Sequence, residues 1–150
     1  MAQIERTASA VWLGDQRSGG GKFSTGSGAI QNQPYTWRMR FEDEPGTNPE
    51  ELVAAAHAAC FSMALAGDLR KASITLDSLH TQATLIMEQE AAGWTIKRIR
   101  LDVEGKVPGI DEATFQQHAE IAKNNCPISR LLSPGLKSID LVATLKSSTQ

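Results

Sequence analysis

Hydrophobic and polar positions along the chain change period several times, and each change marks an element. Alternation with β-branched and aromatic enrichment predicts a strand over Arg6–Trp12, a second near Lys22–Thr25 and a third around Tyr35–Phe41. Gly19-Gly20-Gly21 and Gly26-Ser27-Gly28 punctuate them as turns, because glycine accepts positive φ. The period then lengthens. Asn48 can cap a helix, Pro49 suits its first position, and Glu50 and Glu51 favour the positive end of its dipole. From Leu52 to Leu69 the segment is apolar almost all round. That is the pattern of a helix buried on most faces, wrapped by sheet or by a partner subunit.

Alternation returns over Leu79–Glu90 and Trp94–Val107, where Ile99, Leu101 and Val103 interleave with Arg98, Arg100 and Asp102. The short Ala91-Ala92-Gly93 link predicts a hairpin. Asp111 is placed to cap a second helix, in which Phe115, His118, Ala119 and Ala122 share one face, and Pro127 stops it. A last strand, Ser138–Leu145, turns Ile139, Leu141, Ala143 and Leu145 to one side. The order is βββαββαβ, an α+β arrangement, expected as one domain over residues 1–150.

Composition narrows the partners. The chain is 41% hydrophobic and 21% charged, within the globular range. A formal charge of −2 with scattered Lys and Arg leaves no basic footprint for nucleic acid. The first residues lack the basic-then-apolar pattern of a secretory signal. The longest apolar stretch, Leu52 to Leu65, contains His57 and Ser62 and reads as too short and too polar to cross a bilayer. A soluble cytoplasmic protein is expected, without membrane or nucleic-acid partner. His57, His80 and His118 are dispersed without zinc spacing, so neither metal nor cofactor is expected.

The two cysteines, Cys60 and Cys126, are the candidates for chemistry. A reducing cytoplasm disfavours a permanent bridge, leaving free, transiently paired or catalytic thiols. Cys60 lies more than two turns inside the first helix, beyond the reach of its dipole. A Cys60 thiolate would need a side-chain cation: His57 one turn earlier, or an arginine from the flanking strands. On spacing alone it reads first as a small core hydrophobe, as most buried cysteines do. Cys126 would cap a short helical turn over 127–132, where amides favour a thiolate, or simply pack at a junction.

Arg38 and Arg40 stand one strand period apart and so face one side, ordinarily a solvated one. Arg17 is a loop residue in the glycine-rich region. Glu50 reads as a first-turn carboxylate or as an arginine's partner. Ten residues of helix, about 15 Å, separate it from Cys60, so the two cannot touch within one straight helix. Either a long arginine bridges part of that gap or the Glu50 serving a given Cys60 comes from another subunit. The apolar helix favours the second arrangement.

The stretch from Gly46 to Leu65, with Asn48-Pro49-Glu50-Glu51 at its start and His57-Ala58-Ala59-Cys60-Phe61 at its centre, resembles the active-site helix of the osmotically inducible protein C family. Val107-Pro108-Gly109-Ile110-Asp111, Asn125-Cys126-Pro127-Ile128-Ser129, Trp12-Leu13-Gly14-Asp15 and Gln33-Pro34-Tyr35 are similar to other parts of it. The resemblance implies an intertwined homodimer in which sheets from both chains enclose two long helices. It implies a peroxidatic Cys60, a resolving Cys126 and an Arg–Glu pair near the thiolate, with Glu50 as the acid. For the arginine it favours Arg40, with Arg17 near the position used by the sister organic hydroperoxide resistance proteins. The implied activity is reduction of organic hydroperoxides, and more weakly of hydrogen peroxide, with an external dithiol of the lipoyl type. Leu52, Phe61 and Met63 are expected to shelter the alkyl group. The rival expectation is a non-catalytic dimer whose apolar cleft holds a hydrophobic molecule.

Overall fold

The computed structural model describes residues 2–147. Contacts divide the chain into two units, Met1–Leu52 and Val53–Gln150. In the first, β1 (Ala8–Leu13), β2 (Gly20–Thr25) and β3 (Gln33–Tyr35) form an antiparallel sheet in sequence order. The predicted third strand ends early. Trp37–Phe41 is a one-turn helix, α1, rather than the strand its alternation suggested. Thr36 decides this locally. Its Oγ1 accepts from the Met39 amide at 3.1 Å and its hydroxyl donates to the Glu44 carboxylate, while Asn48 Nδ2 donates to the Met39 carbonyl at 3.1 Å. Such side-chain bonds to backbone outweigh a five-residue alternation.

No described side chain of residues 2–52 is fully buried. The core lies in the second unit.

Helix α2 (Pro49–Lys71) begins where the capping signals place it, with Asn48 Oδ1 accepting from the Glu51 amide at 2.8 Å. Its buried residues are His57, Phe61, Leu65 and Leu69, one per turn. The expectation of burial on most faces is not met in the single chain, where Met63 is 75% exposed. By length and composition alone α2 would also pass for a membrane span, as a buried core helix can. Its buried stripe nevertheless joins one cluster with Ile99, Leu101, Val103, Phe115, Ala119 and Ala143.

Strands β4 (Ser78–Glu90) and β5 (Gly93–Lys106) pair as the predicted hairpin, with Gly93 at φ 115° turning the corner. Strand β6 (Ser138–Leu145) returns parallel to β5 after α3 (Glu112–Asn125), α4 (Pro127–Leu132) and a 3-10 turn (Ser133–Gly135). Asp111 caps α3 by accepting from the Thr114 amide. Phe115, Ala119 and Ala122 then face the core, and His118 Nδ1 meets Asp68 Oδ2 at 2.5 Å. A side chain at Gly105 would place Cβ 2.4 Å from the Phe115 ring, so glycine is what lets α3 settle on β5.

Candidate active site

The second unit brings the two thiols together. Cys60, on α2, is partly buried; Cys126, between α3 and α4, is fully buried. Both are free, and the Cys126 thiol donates to Cys60 Sγ at 3.0 Å. Closing that gap to a disulfide, with sulfurs about 2.05 Å apart, requires a shift of about one ångström. Sixty-six residues of sequence separate the pair, and nothing in their spacing showed this contact.

Cys126 occupies the N-cap position of α4, as anticipated, with Pro127 at the first helical position. Its side chain makes no capping bond to α4, however. The sulfur turns toward Cys60 instead.

Burial pushes the Cys60 thiol above its ordinary pKa. The nearness of the second thiol adds to the rise, while the Ile128 amide, in the first turn of α4, pulls it back. That amide is a site element the sequence reading missed. Cys60 lies too far along α2 for that helix's dipole, but the start of another helix reaches it.

His57 supplies no cation. It is fully buried, and burial holds its imidazole below the usual range and therefore neutral at pH 7. Its Nε2 lies 2.7 Å from the hydroxyl of Ser129, which is 2% exposed. The activating role once open to His57 is thereby replaced by that of a hydrogen-bonded core histidine.

The first unit holds the Arg–Glu pair. Arg40 Nε donates to both Glu50 carboxylate oxygens, at 2.9 and 3.0 Å, and its NH2 donates to Oε1 at 2.5 Å. Such a fork-to-carboxylate contact fixes orientation as well as charge. Arg38 instead pairs with Glu42 four residues on, in solvent. The two arginines therefore do not share a face, because on a helix positions i and i+2 diverge. Arg17 stacks on Trp37, 4.7 Å from its ring centroid. A pocket of about 490 Å³ in this unit is lined by Trp12, Tyr35, Trp37 and Phe41, with Arg40 and Pro49. The residues expected to shelter an alkyl group do not form one surface. Phe61 is in the core and Met63 is exposed, two helical positions away.

An α+β chain with two free thiols in contact, one on its longest helix and one at a helix junction, has the form of a paired-cysteine protein. Comparison with known proteins gives its kin. The family model for OsmC-like protein matches residues 41–139. Over 129 residues, 86% of this chain and 90% of the relative, it is 47% identical to peroxiredoxin OsmC of Escherichia coli K12. It is 34% identical to organic hydroperoxide resistance protein OhrB of Bacillus subtilis 168 over 90 residues, 59% of this chain and 64% of the relative. The chain belongs to the OsmC-like family. The fold agrees with the crystal structure of Bacillus subtilis OhrB, with a TM-score of 0.69 and 24% identity over 93% of this chain and 98% of that one. It agrees also with an organic hydroperoxide resistance protein OsmC from Legionella pneumophila, with a TM-score of 0.73 and 20% identity over 98% and 100% of the two chains.

Proposed function

We propose that this protein is a cysteine peroxidase that reduces organic hydroperoxides, and hydrogen peroxide more weakly, with Cys60 as the attacking thiol and Cys126 as the resolving thiol. The observation that carries the reading is the 3.0 Å contact between the sulfurs in a chain so similar to a peroxiredoxin. The partly buried Cys60 is the sulfur a peroxide would reach, and the fully buried Cys126 is the one held in reserve behind it. Cys60 thiolate attacks the terminal peroxide oxygen, an S–O bond forms as the O–O bond breaks, and the departing alkoxide takes a proton from solvent to leave as alcohol. The Cys60 sulfenic acid then condenses with Cys126, releasing water and forming a disulfide, which an external dithiol of the lipoyl type reduces.

The raised Cys60 pKa means that a cation is needed to hold the thiolate. Arg40, oriented by Glu50, is the proposed source. Glu50 and Cys60 stand on one continuous helix ten residues apart, about 15 Å along its axis, which favours an Arg40–Glu50 pair contributed by a second copy of the chain. The homodimer this requires is supported by the first unit, where no described side chain is fully buried, and by the exposed apolar side of α2. The aromatic pocket beside Arg40 offers the alkyl group a better shelter than Phe61 or Met63. It also gives the rival reading, an apolar-ligand carrier, its one physical support.

Consumption of an organic hydroperoxide with dihydrolipoamide as reductant separates the two. Wild type is expected to turn over, Cys60→Ser to lose all turnover, and Cys126→Ser to oxidise once without forming an internal disulfide. A wild type that leaves the peroxide untouched, or an active Cys60→Ser, would end the enzyme reading in favour of the carrier.

A further inference from the structure

Cys126 is the joint between two helices. Its amide donates to the Ala122 carbonyl at 2.8 Å, closing α3, and its carbonyl accepts from the Arg130 amide at 3.0 Å, opening α4. Its φ of −56° and ψ of 125° belong to neither helix. Along this six-residue helix Ile128 and Leu132 pack partly buried against the core. The buried side chain of α4 is Ser129, and its hydroxyl meets His57 Nε2 at 2.7 Å.

His57 stands three residues before Cys60 on α2, and Ser129 three residues after Cys126. On α2, residues three apart lie on one face. The two segments are therefore joined at two points one turn apart, sulfur to sulfur at 3.0 Å and imidazole to hydroxyl at 2.7 Å. His57 has a second peculiarity. Its Nδ1 is buried without a hydrogen-bond partner among the described residues. An unsatisfied buried polar atom costs stability, and an apolar side chain of similar size would fill the space without that cost. What the imidazole offers in return is its one bond, and that bond goes to Ser129.

We propose that His57 and Ser129 form a positioning pair that holds the first turn of α4 against α2 and so sets how fast Cys126 closes on oxidised Cys60. The peroxidase reading supplies the oxidant, and on that point alone the proposal rests on it. In the step concerned, the Cys126 sulfur attacks the sulfur of Cys60 sulfenic acid. An S–S bond forms, the S–O bond breaks, and the departing hydroxide leaves as water with the Cys126 proton. The histidine exchanges no proton with either thiol. Its effect is on approach, and a misplacement of about one ångström can slow such a step by as much as 100-fold.

The test follows two phases after one equivalent of organic hydroperoxide: loss of peroxide, and closure of the disulfide read by mass and by dimedone trapping of the sulfenic acid. Ser129→Ala and His57→Leu are expected to slow closure at least tenfold more than they slow peroxide loss, so that the dimedone adduct accumulates. His57→Gln, which keeps a hydrogen-bonding group near the place of Nε2, is expected to close within about threefold of wild type. Folded Ser129→Ala closing at the wild-type rate, or folded His57→Gln closing as slowly as His57→Leu, would overturn the proposal. Equilibration in dithiothreitol redox buffers gives a second arm that needs no peroxide. There the effective concentration of Cys126 at Cys60 should fall at least tenfold in Ser129→Ala, and an unchanged value would overturn the proposal too. If wild type neither consumes peroxide nor forms sulfenic acid, the peroxidase reading fails and this arm still decides the positioning role.

Discussion

At the scale of single residues, Cys60 is placed where burial works against its thiolate and the Ile128 amide works for it. Whatever cation completes the site should therefore act largely through the fraction ionised. Arg40→Ala is expected to lower peroxide turnover at least tenfold near neutral pH. Raising the pH should recover part of the loss, because each unit below the thiol's pKa restores about tenfold more thiolate. A deficit that stays constant as pH rises would show that Arg40 binds the peroxide instead. His57 gives a second pH signature, in stability. Its pKa is depressed by burial, so the folded protein holds it neutral while the unfolded chain protonates it. By linkage, that contribution is present above about pH 6.5 and is lost as pH falls through and below that value. Urea midpoints measured at pH 7.5 and pH 5 should fall for wild type and fall less for His57→Gln. Equal slopes for the two proteins would remove His57 as the cause.

At the scale of elements, short patterns are the ones that mislead. Trp37-Arg38-Met39-Arg40-Phe41 alternates as a strand should, yet bonds from Thr36 and Asn48 to the Met39 backbone turn it into a helix. That turn changes chemistry as well as shape, since it sends Arg38 to Glu42 and Arg40 to Glu50. Long patterns behave better. The hairpin of β4 and β5, the capped start of α3 and the final strand all fall where periodicity put them, because many residues vote for one face. Where α3 meets β5 the packing leaves no spare room. Gly105→Ala should cost about 1–3 kcal/mol by forcing the Phe115 ring to move. The loss would appear in chemical denaturation and should shrink in a Gly105→Ala, Phe115→Leu double variant. Independent, additive effects would mean the two sites do not press on each other.

At the scale of the whole molecule, the single chain leaves apolar surface uncovered. Val11, Leu13 and Met63 are exposed, and residues 2–52 contain no fully buried side chain. A three-stranded sheet of that size needs an apolar face packed on something to persist. The family match, over 41–139, runs across the boundary between the two units. Sedimentation velocity is expected to return a dimer for wild type and a shift toward monomer for Met63→Lys. A wild-type monomer at assay concentrations would remove both the dimer and the idea that a second copy supplies Arg40 and Glu50.

The sequence by itself determined the α+β order, the caps of the two main helices, the buried stripe of α3 and the two cysteines as the residues to watch. Those are local properties, carried by period, capping chemistry and residue type within a few turns of chain. Resemblance to a family turned the cysteines from packing residues into candidates for chemistry, and Arg40 and Glu50 into a pair. Only the tertiary structure decided that Cys126 points its thiol at Cys60 rather than along α4, that His57 is neutral and tied to Ser129, and that the Ile128 amide reaches Cys60. Each of these joins residues more than 60 positions apart. Periodicity says which way a side chain faces from its own element, but not what the returning chain will place opposite it.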